Sequence, residues 1–314
     1  MRKTARGLAQ RPNSDRKAIS ETAMITLESY ARSGIPLARE FLTAIRTAKP
    51  EERSWVAPNG RRSISPEQAV LLRARYLGAE AFIKQHVMTG RSIVERAAGM
   101  SPFGFNIATE LPVTYIETDI SGDFSFKPQV CAKISNDLAI TPPSNLHFAK
   151  MDALTLEGIG SVSKLLKYND DPLVVIDAGL MIYQGEEKFE QYVDAAKRLL
   201  RLRDSSIWIA TDLCFRNREF IERLVEYGPE FRSYFDRIKQ KLGVDYRDFF
   251  PNEGRQMAAL KQKGFEVIGL GPAELKYELR FEGLEHGTMQ PAQLRSYLGY
   301  LEKNFKTLVL SLRK

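Results

Sequence analysis

Ser92-Ile93-Val94-Glu95-Arg96-Ala97-Ala98-Gly99-Met100-Ser101-Pro102-Phe103-Gly104 is the stretch on which the fold turns. Residues 92–95 form a short apolar run of strand character. The small residues behind it allow close backbone approach, and the helix that follows opens with free N–H groups. Further strand runs lie at 113–117, 172–176, 207–210 and 265–268. Another strand ends at Lys150-Met151, and a last one at 307–312 follows a helix at 291–304. Helical stretches at 129–138, 156–168 and 186–202 separate the strands. This alternation predicts an α/β fold: a doubly wound, mostly parallel, Rossmann-like seven-stranded sheet with helices on both faces.

Upstream of residue 90 the apolar spacing is helical throughout. A helical run from about 20 to 48 is broken at Gly34-Ile35-Pro36, and 51–62 is a polar loop containing Pro58-Asn59-Gly60. Ser65-Pro66-Glu67 opens a third helix, with Ser as cap and Pro in the first turn. The expected organisation is a disordered basic leader at 1–19, an N-terminal helical cap at 20–90, and a Rossmann-like domain with helical insertions at 91–314.

The chain has 314 residues, with 43% hydrophobic and 27% charged side chains, the balance of a globular protein. Its net charge is +7, yet six of the basic residues and only one acid fall within the first 20 positions. The rest is nearly neutral, with no clustered basic face for nucleic acid, so a nucleic-acid partner is not expected. Cys131 and Cys214 cannot form a disulfide scaffold, and with His86, His147 and His286 far apart no metal-ligand spacing emerges. A reducing, cytoplasmic location is the expectation. No apolar run reaches about 18 residues, so no helical membrane span is expected.

In open α/β sheets ligands bind beyond the carboxyl ends of the strands. Acids stand at several of these ends. Glu95 leads into the small-residue loop with Ala97 and Gly99, and Tyr115-Ile116-Glu117-Thr118-Asp119 ends the second strand, placing Asp119 20 residues after Gly99. That separation suits a carboxylate accepting from ribose hydroxyls. Asp152, with Ala153 beside it, follows the third strand and suits an adenine amino group. Asp177 ends the fourth. A nucleoside ligand is implied, belonging to a nicotinamide cofactor or to S-adenosyl-L-methionine. Ala97 standing where GxGxxG wants its first glycine, and Ser101-Pro102-Phe103 at the turn, suit a diphosphate poorly.

Val94-Glu95-Arg96-Ala97-Ala98-Gly99-Met100-Ser101 together with Tyr115-Ile116-Glu117-Thr118-Asp119 resembles the leucine carboxyl methyltransferase-like group, class I S-adenosylmethionine-dependent O-methyltransferases of polyketide-type metabolism. Asp177-Ala178-Gly179-Leu180-Met181-Ile182-Tyr183 resembles that group's "EGLxMY" segment, and Ser20-Glu21-Thr22-Ala23 its leading helix. The likeness covers roughly 20–270. It implies a helical cap over the cofactor, with Arg73 or Arg75 as partner of the methionine carboxylate. The sequence departs from the group where many members carry Asp-x-Arg after the loop glycine, and 271–306 has no counterpart.

The implied activity is O-methyl transfer to a small-molecule hydroxyl or carboxylate. Asp177 and Tyr183 are the candidate catalytic residues, with Asp212 next and His147 read as structural. The acceptor would lie between the N-terminal helices and the segment after Phe215, whose aromatics include Phe220, Tyr227, Phe231, Tyr234 and Phe235. A nucleic-acid methyltransferase anchored by its basic tail, and an inactive S-adenosylmethionine-binding protein on the same fold, are the alternatives.

Overall fold

The structure, a computed structural model, describes residues 13–48, 65–87, 90–120, 123–166, 171–179, 185–279 and 289–313. Helices α1 (Asn13–Arg32), α2 (Ala38–Ala48) and α3 (Pro66–His86) come first. Then follow β1 (Ser92–Arg96), α4 (Phe103–Glu110), β2 (Thr114–Asp119), α5 (Lys127–Asp137), β3 (Leu146–Lys150), α6 (Ile159–Leu165) and β4 (Leu173–Asp177). The second half holds α7 (Glu186–Leu200), β5 (Ile207–Ala210), α8 (Arg218–Tyr227), α9 (Pro229–Leu242), α10 (Glu253–Gln262), β6 (Phe265–Leu270), α11 (Pro291–Asn304) and β7 (Thr307–Leu312).

These strands form one seven-stranded sheet in the order β3-β2-β1-β4-β5-β7-β6. The first five are parallel, and β7 runs antiparallel to both β5 and β6. The Rossmann-like sheet expected from the sequence is present, with β7 as the reversed strand between β5 and β6. The strand order reverses between β1 and β4, which puts the ligand-binding crevice of such a sheet above their carboxyl ends.

Local chemistry explains the element boundaries. Gly34 at φ +73° ends α1, and the chain re-enters a helix at Ala38. At α3 the Ser65 hydroxyl accepts from the Gln68 N–H while the Gln68 side chain accepts from the Ser65 N–H, a complete capping box with Pro66 in the first turn. α1 begins at Asn13, so helix extends into the stretch read as a disordered leader; residues 1–12 lie outside the described residues. The loop at 51–62 lies outside them too.

α3 is more than a cap. It is buried on several sides, polar residues Glu67, Gln68 and Arg75 among them. Val70, Tyr76 and Ile83 share one hydrophobic core with Ile93, Tyr115, Val174 and Ile176 of the sheet. Gly78 lets α3 press against Thr307 of β7, where a Cβ would collide with the threonine hydroxyl. The opposite sheet face carries a second core, in which Val94, Val175 and Trp208 meet Tyr192 and Leu199 of α7 and Leu260 of α10.

Candidate cofactor site at the carboxyl ends of the strands

The loop after β1 is built on left-handed backbone. Ala97 has φ +53° and Gly99 φ +52°. For alanine this conformation is strained by roughly 1 kcal/mol or more, a cost that concentrates at functional loops. The Ala98 N–H donates to the Thr118 carbonyl at 2.9 Å, and the Gly99 N–H donates to Asp119 Oδ2 at 3.0 Å. The 20-residue spacing noted in the sequence therefore becomes a direct contact between the small-residue loop and the acid that ends β2. Asp119 is only 5% exposed. Ala23 of α1 stands over the loop, its Cβ 3.2 Å from where a Gly99 side chain would begin.

A second wall comes from α3. Of the two arginines considered, Arg75 turns to the sheet: it is 1% exposed, and its guanidinium donates to the Tyr30 hydroxyl at 3.3 Å. The loop after β4 makes room for it at Gly179, which has φ +120°. A Cβ there would lie 2.5 Å from Arg75 Nη1 and 2.8 Å from its Cζ. Arg75 also lines a small apolar cleft with Leu71, Leu72, Phe215, Phe231 and Tyr234. The aromatics expected beside an acceptor thus divide: Phe231 and Tyr234 reach this cleft, whereas Phe220 stacks on Tyr300 within the core.

Several expected site residues do other work. Glu95 lies on β1 opposite Glu117 of β2. It is 2% exposed and accepts from the Tyr115 hydroxyl at 2.9 Å. It faces Glu117 across the β1–β2 register, and Glu117 ion-pairs with Lys127, both fully buried. Burial, then the neighbouring Glu117, pushes the Glu95 carboxyl up to about 8. Burial also raises Glu117. Gly104 is required here, because a side chain would meet the Glu117 carboxylate and the Tyr115 ring. In the structure Glu95 is thus engaged by Tyr115 and set beside Glu117 in the interior.

Asp177 is likewise engaged inside the protein. It is fully buried and held by Arg96, whose Nε donates to Oδ1 at 2.7 Å and whose Nη2 pairs with Oδ2. The Tyr192 hydroxyl, at 2.6 Å, and the Trp208 indole N–H also donate to Oδ2. A carboxylate so buried and held by an arginine is poorly placed to act as a general base. Asp152 Oδ1 accepts from the Leu154 and Thr155 N–H groups at 2.7 and 3.1 Å, the geometry of a turn-forming acid. Ala153 contributes its carbonyl to Arg96. Asp212 is fully buried after β5, and His147 sits mid-strand on β3. Tyr183 lies outside the described residues. Among the described residues no three His, Cys, Asp or Glu side chains cluster to hold a metal ion, and no helix is long and apolar enough to cross a membrane.

The contact that sequence reasoning misses is Arg96. Its position, last in β1 and in register with Asp177, last in β4, is the available signal.

No protein-family model matches the chain, and no curated protein does. Solved structures do. The chain is similar to a chain of the complex containing the Haloferax volcanii Trm112 methyltransferase activator, with 12% identity over 82% of this chain and 95% of that one, and a TM-score of 0.42. It is similar to phosphoethanolamine N-methyltransferase 2 of Haemonchus contortus in complex with S-adenosyl-L-methionine, at 10% identity over 86% and 58% of the two chains, TM-score 0.39. The TehB-like SAM-dependent methyltransferase of Corynebacterium glutamicum gives 12% identity over 86% and 98%, TM-score 0.38.

Proposed function

We propose that this protein is an S-adenosylmethionine-dependent O-methyltransferase acting on a small-molecule hydroxyl or carboxylate. The observation that carries the reading is the bond from the Gly99 N–H to Asp119, which joins the strained loop after β1 to an acid at the end of β2. The residues present fit the cofactor. Asp119 would accept from the ribose hydroxyls, Ala97 and Gly99 would admit the nucleoside along their backbone, and Arg75, seated at Gly179, would hold the methionine carboxylate.

When bound, the sulfonium supplies an electrophilic methyl group. The protein's task is then chiefly to orient the acceptor oxygen and exclude water. The apolar cleft beside Arg75, walled by Leu71, Leu72, Phe215 and Phe231, is suited to the second task. With Asp177 committed to Arg96, Tyr192 and Trp208, the described residues serve best an acceptor that is already ionised at neutral pH. A carboxylate meets that condition without a base; a hydroxyl does not.

Titration calorimetry of the full chain with S-adenosylmethionine tests the proposal. Binding in the micromolar range is expected, and Asp119→Ala should abolish it while leaving the far-ultraviolet circular dichroism unchanged. Absence of binding by the parent protein at high micromolar concentration would overturn the reading.

A further inference from the structure

We infer that Arg96 is a positioning residue: through Asp177 it fixes the loops after β1, β3 and β4, the first carrying the proposed backbone contacts at Ala97 and Gly99 and the last the Gly179 seat of Arg75. The inference rests on the reading proposed above.

Arg96 is fully buried, and its guanidinium reaches every one of these segments. Nε and Nη2 bind the Asp177 carboxylate at the end of β4, while Nη1 donates at 3.2 Å to the Ala153 carbonyl after β3 and at 3.2 Å to the Tyr192 carbonyl of α7. The rings of Tyr192 and Trp208 cover it, at 4.2 and 5.4 Å from Cζ. Each loop leaves this network within a few residues. Ala97 and Gly99 follow Arg96 directly, Asp152 is bonded into the chain beside Ala153, and Gly179 lies just beyond Asp177. The Asp177 carbonyl, at 3.2 Å from the Thr211 N–H, extends the connection to the end of β5.

A planar fork with five fixed donors can tie four segments at set angles, which an ammonium cannot. Stability alone is a weak reason for such a group. Buried ion pairs can often be replaced by uncharged groups with little loss, because the charges are costly to desolvate. What uncharged replacements cannot supply here is the set of directed bonds to the Ala153 and Tyr192 carbonyls. The geometry accordingly favours loop placement as the role of Arg96.

The test uses the full-length Arg96→Met/Asp177→Asn variant. It removes both charges together, and the amide introduced in place of the Asp177 carboxylate keeps a carbonyl oxygen for the Tyr192 and Trp208 donors. Hydrogen exchange followed by mass spectrometry, without any ligand, should show at least roughly tenfold faster exchange at Ala98, Gly99 and Leu154, with the α10–β6 region unchanged. Calorimetry should then show at least roughly tenfold weaker S-adenosylmethionine binding. A control with a similar drop in melting temperature, Leu260→Ala in α10, should bind like the parent.

Unchanged protection of the Ala98–Gly99 loop in the folded double variant would overturn the inference, as would equal weakening of binding in the Leu260→Ala control. If the double variant does not fold, Arg96→Lys decides by the same exchange measurement. It keeps the charge but cannot bridge Asp177, Ala153 and Tyr192 at once, so the loop should lose protection; retained protection would refute the role. If the parent protein does not bind S-adenosylmethionine, the proposed function fails, and the ligand-free exchange result still decides the inference.

Discussion

Replacing Glu95 by Gln should stabilise the protein at neutral pH, although it deletes a buried, hydrogen-bonded carboxyl group. Glu95 and Glu117 face each other across β1 and β2, and the Lys127 ammonium pairs with Glu117. Burial first, then Glu117, holds the Glu95 carboxyl at about 8, against an ordinary 4.5. The folded state therefore keeps a proton that the unfolded chain has released. A group whose folded pKa is raised contributes its full stability below the unfolded value and loses it as pH climbs to the folded one. The window here runs from 4.5 to about 8. Each pH unit within it costs about 1.4 kcal/mol, so ionisation of Glu95 weighs on the fold by roughly 3 kcal/mol at pH 7.

Glutamine has nearly the same shape, and its carbonyl can still accept from the Tyr115 hydroxyl, but it takes no part in the titration. For a chain of this length 1 kcal/mol corresponds to about 1.5 °C in melting temperature. Glu95→Gln should thus melt about 3–5 °C above the parent at pH 7, and the difference should vanish toward about pH 4.5. Circular-dichroism melts of both proteins from about pH 4.5 to about pH 8.5 make the comparison. Melting profiles that run parallel across this range would refute the reasoning, since Glu95 would then not be the group that titrates.

The same layer should resist enlargement. Gly104→Ala puts a methyl 2.7 Å from the Tyr115 ring and against the Glu117 carboxylate, and should cost about 1–3 kcal/mol in urea denaturation. Trp208→Phe removes the indole N–H from the buried Asp177 carboxylate and should lower stability by about 1–3 kcal/mol, measured the same way. Gly179→Ala, at φ +120° and 2.5 Å from Arg75 Nη1, should dislodge the guanidinium. Calorimetry should then record S-adenosylmethionine binding at least roughly tenfold weaker, about 1.4 kcal/mol; an unchanged affinity would remove Arg75 from the site.

The sheet and the meeting of the loop after β1 with Asp119 are legible in the sequence because they depend on local patterns. Apolar runs mark the strands, and the interval from Gly99 to Asp119 is a short-range signature of two adjacent strand ends meeting. The contacts that the sequence does not show all depend on facing direction or on distant partners. All five residues of β1 are buried, so alternation gives no hint that Glu95 and Arg96 point to opposite layers. Asp177 stands where a base would stand, but its fate is decided by an arginine 81 positions away that only the parallel register of β1 and β4 brings opposite. Helix α3 reads as a cap because it precedes the first strand, while its role as a sheet layer follows from Gly78 meeting Thr307, a contact far apart in the chain.

The placing of β7 bears on how the chain assembles. β6 has β7 as its strand partner in the sheet, and β7 is inserted between β5 and β6. During synthesis β6 emerges well before the strand that will hold it, with the whole of α11 made in between. Until then Phe265 and Val267 have no ladder to join, and the outer edge of β5 is open as well. Two strand edges and their apolar side chains wait on one late segment, which makes this corner the natural place for off-pathway association. Substitutions in Thr307–Leu312 should therefore lower the yield of soluble protein more than their effect on the finished fold would indicate.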